Sequence, residues 1–354
     1  MLMILSIMDP IAKFFGWITR CFYHIFGNYG LAIIALTVLI RVVMIPLNIK
    51  SEKSMLKTQA LSSKMAEAQR KYGNDKEAYQ QEVMRIQQES GAGGFAGCLL
   101  PLLQIFVLWP VYQIVSRPLS RISNVSEENI IAMGKLAGMD EKAVIRDNVT
   151  LITKLTKDGE LLKKCVQNGY LKMDQLMNFD FFGLDLRLKP SFRPDVIASN
   201  KSQYIPLLII PILVIVTQIL SMKLTEWLKP GYKEEKLAKE RAKKNPAKSV
   251  QEVNPAEQST KIMMWTFPVL MLITTFTTPA AFGIYWIVAS VMAIITQFLV
   301  YWLFKKPYAL KKKELELKKA NAFKKKDKAD KLDPDSDENN LKKKKKKKID
   351  IEVE

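Results

Sequence analysis

GLAIIALTVLIRVVMIPL, residues Gly30 to Leu47, is a continuous apolar run long enough to cross a bilayer as a helix, and the one charge in it is Arg41. An arginine at mid-bilayer costs about 2.5 to 3.5 kcal/mol on insertion scales, so such a residue faces water or a partner rather than lipid. Arg41 is therefore the first candidate functional residue.

Four more runs of this kind follow: Phe95 to Val115, Tyr204 to Met222, Ile262 to Thr278 and Phe282 to Phe304. Hydrophobic residues make up 48% of the 354, yet the mean hydropathy is close to zero because apolar blocks alternate with strongly charged ones. The runs are continuous rather than alternating, so helices are the way to satisfy their backbone in lipid. The fold class expected is an all-α polytopic membrane protein with five transmembrane helices. At most Pro279 to Phe282 separates the last two spans, which must form a tight antiparallel hairpin.

Pro10 to Phe26 carries Phe14, Phe15, Trp17, Phe22 and Tyr23 beside Lys13 and Arg20, as in an amphipathic helix lying at the headgroup level. Asp9 and Pro10 are expected to break the stretch before it, and without a small-residue cleavage site a removed signal peptide is not expected. Cys21, Cys98 and Cys165 are scattered and read as free thiols, a Cys21 to Cys165 bridge being the alternative.

Net charge is +19, and its placement sets the orientation. Asn48 to Gly94 has eight basic residues, Lys229 to Lys261 nine, and the tail after Phe304 nineteen, and such stretches stay in the cytoplasm. The 85-residue connection Leu119 to Gln203, with thirteen basic and eleven acidic residues, exceeds the length over which that rule operates. Five spans with the tail inside put the N-terminus outside. The expected organisation is an external interfacial helix over 1–27, two spans with a cytoplasmic helical hairpin (50–90) over 28–118, and an extracytoplasmic loop over 119–203. Three spans with a cytoplasmic loop (229–261) then occupy 204–304, and a disordered basic tail 305–354.

At about 1.5 Å per residue, Arg41 lies roughly 9 Å from the cytoplasmic end of its span. Thr37 is one turn deeper on the same face, while Gln104, Gln218 and Gln297 fall at middle or cytoplasmic depths of the second, third and fifth spans. The outer halves, such as IPLLIIPILVIV, are nearly unbroken. This distribution suggests a hydrophilic groove open to the cytoplasm and closed outward, not a through-pore. The alternative is that Arg41 snorkels to nearby headgroups and each glutamine bonds a neighbouring helix.

Beyond Pro46 the chain turns polar and helical, with a break at Gly73 and Asn74. Leu61, Met65, Ala68 and Tyr72, then Tyr79, Val83 and Ile86, give each helix one apolar stripe for packing as a hairpin. GAGGFAG, from Gly91, has dinucleotide-loop spacing, but no strand precedes it and a span follows, so it reads as a membrane-entry turn. The tail ends in Lys342, Lys343, Lys344, Lys345, Lys346, Lys347 and Lys348, suited to anionic lipid or ribosomal RNA. With a lone His24, no metal-ligand cluster and no phosphate loop, neither enzyme activity nor a cofactor is expected.

NYGLAIIALTVLIRVVMIPLNIKSEKSM, Asn28 to Met55, resembles the first core segment of the YidC family of membrane protein insertases. GGFAGCLLPLLQIFVLWPVY (Gly93 to Tyr112), FFGLDL (Phe181 to Leu186) and PAAFGIYWIVASVMAIITQFLVY (Pro279 to Tyr301) resemble later ones. Ala281 and Phe282 stand where the family has Gly-Leu, Ser290 near where it has Asn, and the 119–203 connection is unusually long. The resemblance implies five helices around a cytoplasm-facing groove whose arginine is Arg41, with Thr37, Trp286 and Gln218 as further groove or client-contacting positions. It also implies an apolar exit surface on the second and fourth spans, with Leu103, Phe106, Phe267 and Leu270 as contacts. The location would be the plasma membrane of a bacterium, and the partners nascent membrane proteins, the phospholipid bilayer, and the ribosome and Sec translocase. A solute transporter or channel and a membrane-anchored ribosome receptor are the competing functions.

Overall fold

The structure, a computed structural model, describes residues 2–72, 75–89, 96–229 and 255–332, with 232, 236–237 and 240–241 between them. It divides into two compact units, Met1–Leu228 with Tyr232–Val300, and Lys229–Gly231 with Tyr301–Glu354.

Helix α1, Leu2–Phe26, runs through Pro10 instead of breaking there. The lost backbone bond is offset by ties that hold the first turns in place. The Asp9 carboxylate pairs with Lys13 at 3.0 Å and with Arg121 at 2.6 Å. Burial pushes that carboxyl up, but the hydrogen bonds and charges of Lys13 and Arg121 outweigh it, and the group titrates below its ordinary range. Gly27, with φ +62°, ends the helix by donating to the Tyr23 carbonyl at 2.8 Å.

Asn28 then caps α2, Tyr29–Ala60, accepting the Leu31 N–H at 3.2 Å. α2 does not stop at Leu47. It continues past Pro46 through the polar KSEKSMLKTQA segment and yields at Leu61, so the first apolar helix and the start of the hairpin are one rod. The residues after Pro46 are mostly good helix formers, and helix propagation is favourable once a turn exists. α3, Ser62–Tyr72, and α4, Lys76–Glu89, pack together with Met65, Ala68 and Ile86 buried. Gly73, Asn74 and Gly91 to Phe95 of the glycine-rich turn lie outside the described residues, and Ala96 and Gly97 of that turn are already helical.

α5, Ala96–Ser116, leads into a folded insert. α6 (Pro118–Arg121), α7 (Glu127–Leu136), α8 (Glu141–Arg146), α9 (Asn148–Lys157) and α10 (Gly159–Gln167) enclose Ile130, Met133, Val144, Leu151, Ile152 and Cys165. The stretch DEKAVIRDNVTLITKL forms two helices, α8 and α9. Asp147 has extended backbone, and its carboxylate caps α9 at Val149 N, 2.9 Å. Ser126, Asp140 and Asp158 cap α7, α8 and α10 in the same way. Cys165 is buried and Cys21 exposed, each a free thiol.

A two-strand hairpin, β1 (Asp180–Phe181) and β2 (Leu184–Asp185), follows, its turn made by Phe182 and Gly183 with φ of 52° and 78°. After α11 (Pro194–Ser199) and α12 (Lys201–Leu207), a turn at Leu208 precedes α13, Ile209–Trp227, so the third apolar run starts as two helices. α14, Pro255–Thr277, and α15, Ala280–Val300, are joined by Thr278 and Pro279. α2, α13 and α15 lie in the three stretches long and apolar enough to cross a membrane, and α5 and α14 contain shorter apolar segments.

In the second unit a π-helical turn, Tyr301–Lys305, precedes α16, Lys306–Leu332. This helix takes up the first part of the basic tail. The tail lacks an apolar core, but its Lys, Leu, Glu and Ala content favours helix residue by residue and Pro307 sits in the first turn. Lys342 to Lys348 lie outside the described residues.

The insert's caps are individually testable. Asp158 accepts two N–H bonds, from Glu160 at 3.1 Å and Leu161 at 3.0 Å. Asp158→Ala should cost about 1 kcal/mol and Asp158→Asn a few tenths, read as melting temperature of the detergent-solubilised protein. Equal losses for both would refute the capping role.

Candidate functional site

Five apolar helices each present one end to the insert: α2, α13 and α15 begin there, and α5 and α14 finish there. α15 is the central one, packing against α2, α5, α13 and α14. Its Gly283 permits this, since a Cβ would collide with Ile210 on α13. The insert closes the same end. Ala280 and Ala281 donate their N–H groups to the carbonyls of Leu188 and Leu186 at 2.8 and 3.2 Å, satisfying donors that a helix start leaves open.

The hydroxyl of Tyr285, a buried residue in the second turn of α15, is where three helices meet through polar side chains. Gln104 of α5 donates to it at 3.2 Å. Arg41 of α2, half-buried, lies near enough for its charge to act on the same hydroxyl. Further along α15, Ser290 donates to Gln218 of α13 at 3.0 Å, and Gln297 donates to the buried Glu52 of α2 at 3.1 Å. Arg41, Gln104 and Gln218 thus engage residues of α15, and Gln297, on α15 itself, engages α2.

Thr37 and Trp286 are placed differently. Thr37 is 1% exposed and gives its hydroxyl to the Ile33 carbonyl of its own helix at 2.7 Å. Trp286, 2% exposed, stands among Phe267, Phe282 and Tyr285 with ring centroids 5.9, 5.5 and 5.1 Å away. Phe106 and Leu270 are exposed and Phe267 is half-buried against Trp286, whereas the side chain of Leu103 lies outside the described residues.

Tyr285 and Glu52 were not among the residues singled out from sequence. Tyr285 reads as an interfacial aromatic until its partners are known. Glu52 follows Arg41 by eleven residues, three helical turns and so nearly the same face, but that signal exists only if α2 is continuous beyond Leu47. Among the described residues no group of three or more His, Cys, Asp and Glu is arranged to hold a metal.

Long apolar helices, exposed apolar side chains along them, such as Val43, Ile212, Val216, Ile273 and Ile295, and polar groups turned onto one central helix define a polytopic α-helical membrane protein. Residues 21–307 match the family model described as 60Kd inner membrane protein. The chain is 32% identical over 149 residues to membrane protein insertase YidC of Caldanaerobacter subterraneus, covering 42% of this chain and 70% of that one. It is 35% identical over 118 residues to the insertase YidC of Clostridium perfringens, 31% and 50% of the two chains. Against YidC 2 of Listeria innocua it is 31% identical over 163 residues, 45% and 55%. The chain belongs to the YidC family of membrane protein insertases, multi-pass proteins of the bacterial cell membrane that are not enzymes.

The contrast between Thr37 and Tyr285 gives a test. Thr37→Val should leave the melting temperature close to the parent, because the hydroxyl serves only its own helix. Tyr285→Phe, which removes an oxygen shared by Gln104 and Arg41, should cost about 1 kcal/mol or more. Comparable losses would mean that the Thr37 hydroxyl has a partner beyond Ile33.

Proposed function

We propose that this protein inserts client proteins into the plasma membrane through a hydrated groove carrying Arg41. The observation that carries the reading is the convergence of Arg41 and Gln104 on the Tyr285 hydroxyl, in a chain of the insertase family. A guanidinium held by partners within the helix cluster is not committed to the lipid headgroups, which favours the groove over simple snorkelling.

In this reading all five apolar helices span the bilayer, α5 and α14 included. The insert and α1 lie outside, and the α3–α4 hairpin, the 229–261 loop and the tail lie in the cytoplasm, where the basic residues are concentrated. Arg41, Gln104, Gln218 and Gln297 bring polarity partway into the membrane, so a client's short polar or acidic segment crosses a thinner apolar barrier. Thr37 and Trp286 form the packed floor of that groove. Leu103, Phe106, Phe267 and Leu270 offer the apolar surface along which the client's own hydrophobic segment passes into lipid. Lys342 to Lys348 draw the tail to anionic lipid or to the ribosome, and the Sec translocase is a partner for larger clients.

Purified protein in liposomes should insert a small single-span client without other components. Arg41→Ala should impair clients with acidic external segments at least several-fold more than clients with neutral ones. Equal loss for both would assign Arg41 a structural role. Ion or solute flux without a client would favour a channel, and loss of function on removing 305–354 with silent groove substitutions would favour a ribosome receptor.

A further inference from the structure

Where α1 meets the insert there is a cavity of about 260 Å³ that the insertion reading does not use. Arg20, Tyr23 and His24 of α1 line one side, and Asn124, Lys172 and Asp174 of the insert line another. Arg20 is fixed at the wall, its Nε donating to the Ile122 carbonyl at 2.5 Å. Among the described residues neither Arg20 nor Lys172 is ion-paired, and the terminal N–H groups of Arg20 have no protein partner. Even without counting His24, two cations face one carboxylate, so the cavity is net positive.

The faces of α1 say which kind of anion reaches it. Ala12, Gly16 and Thr19 form the face buried against the protein. Next around the helix, within about 40° of one another, come Lys13, Arg20 and His24. Lys13 is already paired with Asp9. Beyond this basic ridge lies the exposed apolar arc of Trp17, Phe14, Ile25 and Ile11, with 60%, 56%, 71% and 41% of their surfaces open. A helix of this pattern lies with the apolar arc among acyl chains and the ridge at the level of the phosphates.

We infer that the cavity is a binding site for the phosphate of an anionic membrane lipid, held by Arg20, Lys172 and His24, with the acyl chains lying along Trp17 and Ile25. The site seats the insert on the bilayer surface through α1. It rests on the reading of α1 as an interfacial helix given above, but lipid binding needs no client and is measured independently of insertion.

The test titrates dihexanoyl phosphatidylglycerol into the detergent-solubilised full chain and counts bound lipids by native mass spectrometry. Dihexanoyl phosphatidylcholine serves as the zwitterionic arm and glycerol 3-phosphate as the soluble one. A saturable adduct with the anionic lipid is expected. It should weaken about fivefold in Lys172→Gln and about 25-fold in Arg20→Gln with Lys172→Gln. Lys172 is exposed, so its variant keeps the fold even if Arg20 proves structural. Lys163→Gln on α10 should bind like the parent, the basic tail being common to all variants. Equal binding of the zwitterionic lipid, or an equal loss in Lys163→Gln, would overturn the site. Displacement of the lipid by equimolar glycerol 3-phosphate would overturn its assignment to a membrane lipid.

Discussion

A guanidinium set in an apolar helix must be satisfied by the protein that carries it, and much of this architecture follows from how Arg41 is satisfied. Its charge acts on the Tyr285 hydroxyl, which also accepts from Gln104, so that α2, α5 and α15 come together there. The small residues at Ala280, Ala281, Gly283 and Ala289 let α15 approach its neighbours closely enough for such contacts. Ser290 with Gln218, and Gln297 with Glu52, extend the same principle along α15, joining it to α13 and to the far part of α2. In an apolar medium each of these groups has few alternatives to a partner on another helix, which gives the pairing its directionality.

The opposite demand is met at the insert. The first N–H groups of α15 are taken by the carbonyls of Leu186 and Leu188, Tyr29 N–H by that of Asn178, and Gly30 lies directly against Phe181. The stretch from Asn178 to Leu188, which contains FFGLDL, thus touches the apolar helices. Arg187 holds it to the rest, bonded to Asp185 at 2.7 and 2.9 Å and to Thr156 at 2.5 Å. An 85-residue connection that carries no span has a fixed seat through these bonds, and α1, tied to Arg121 and Ile122, shares it.

Several boundaries shifted for one reason. Neither Pro10 nor Pro46 ends its helix: α1 and α2 continue through their prolines, and residues 306–332 are helical despite their charge. A proline costs one turn's bonding, whereas the remaining residues of a long helix contribute their own. The reverse holds at Asp147, where a side-chain cap competes with the backbone and divides α8 from α9.

By itself the sequence determined that the chain is helical and membrane-embedded, because twenty apolar residues in a row leave the backbone no other way to bond in lipid. It also marked Arg41, Gln104, Gln218 and Gln297, since polar atoms in such runs are costly and therefore conspicuous. The motifs from Asn28 to Tyr301 were enough to indicate the insertase family. What only the tertiary structure decided is which polar group meets which. Tyr285 and Glu52 gain meaning from partners 181 and 245 residues away, Thr37 turns back onto its own helix, and the insert acquires a core from residues whose local pattern is merely mixed. Pairing across such distances depends on helix packing, which fixes direction and contact between side chains, and a one-dimensional pattern fixes only their spacing.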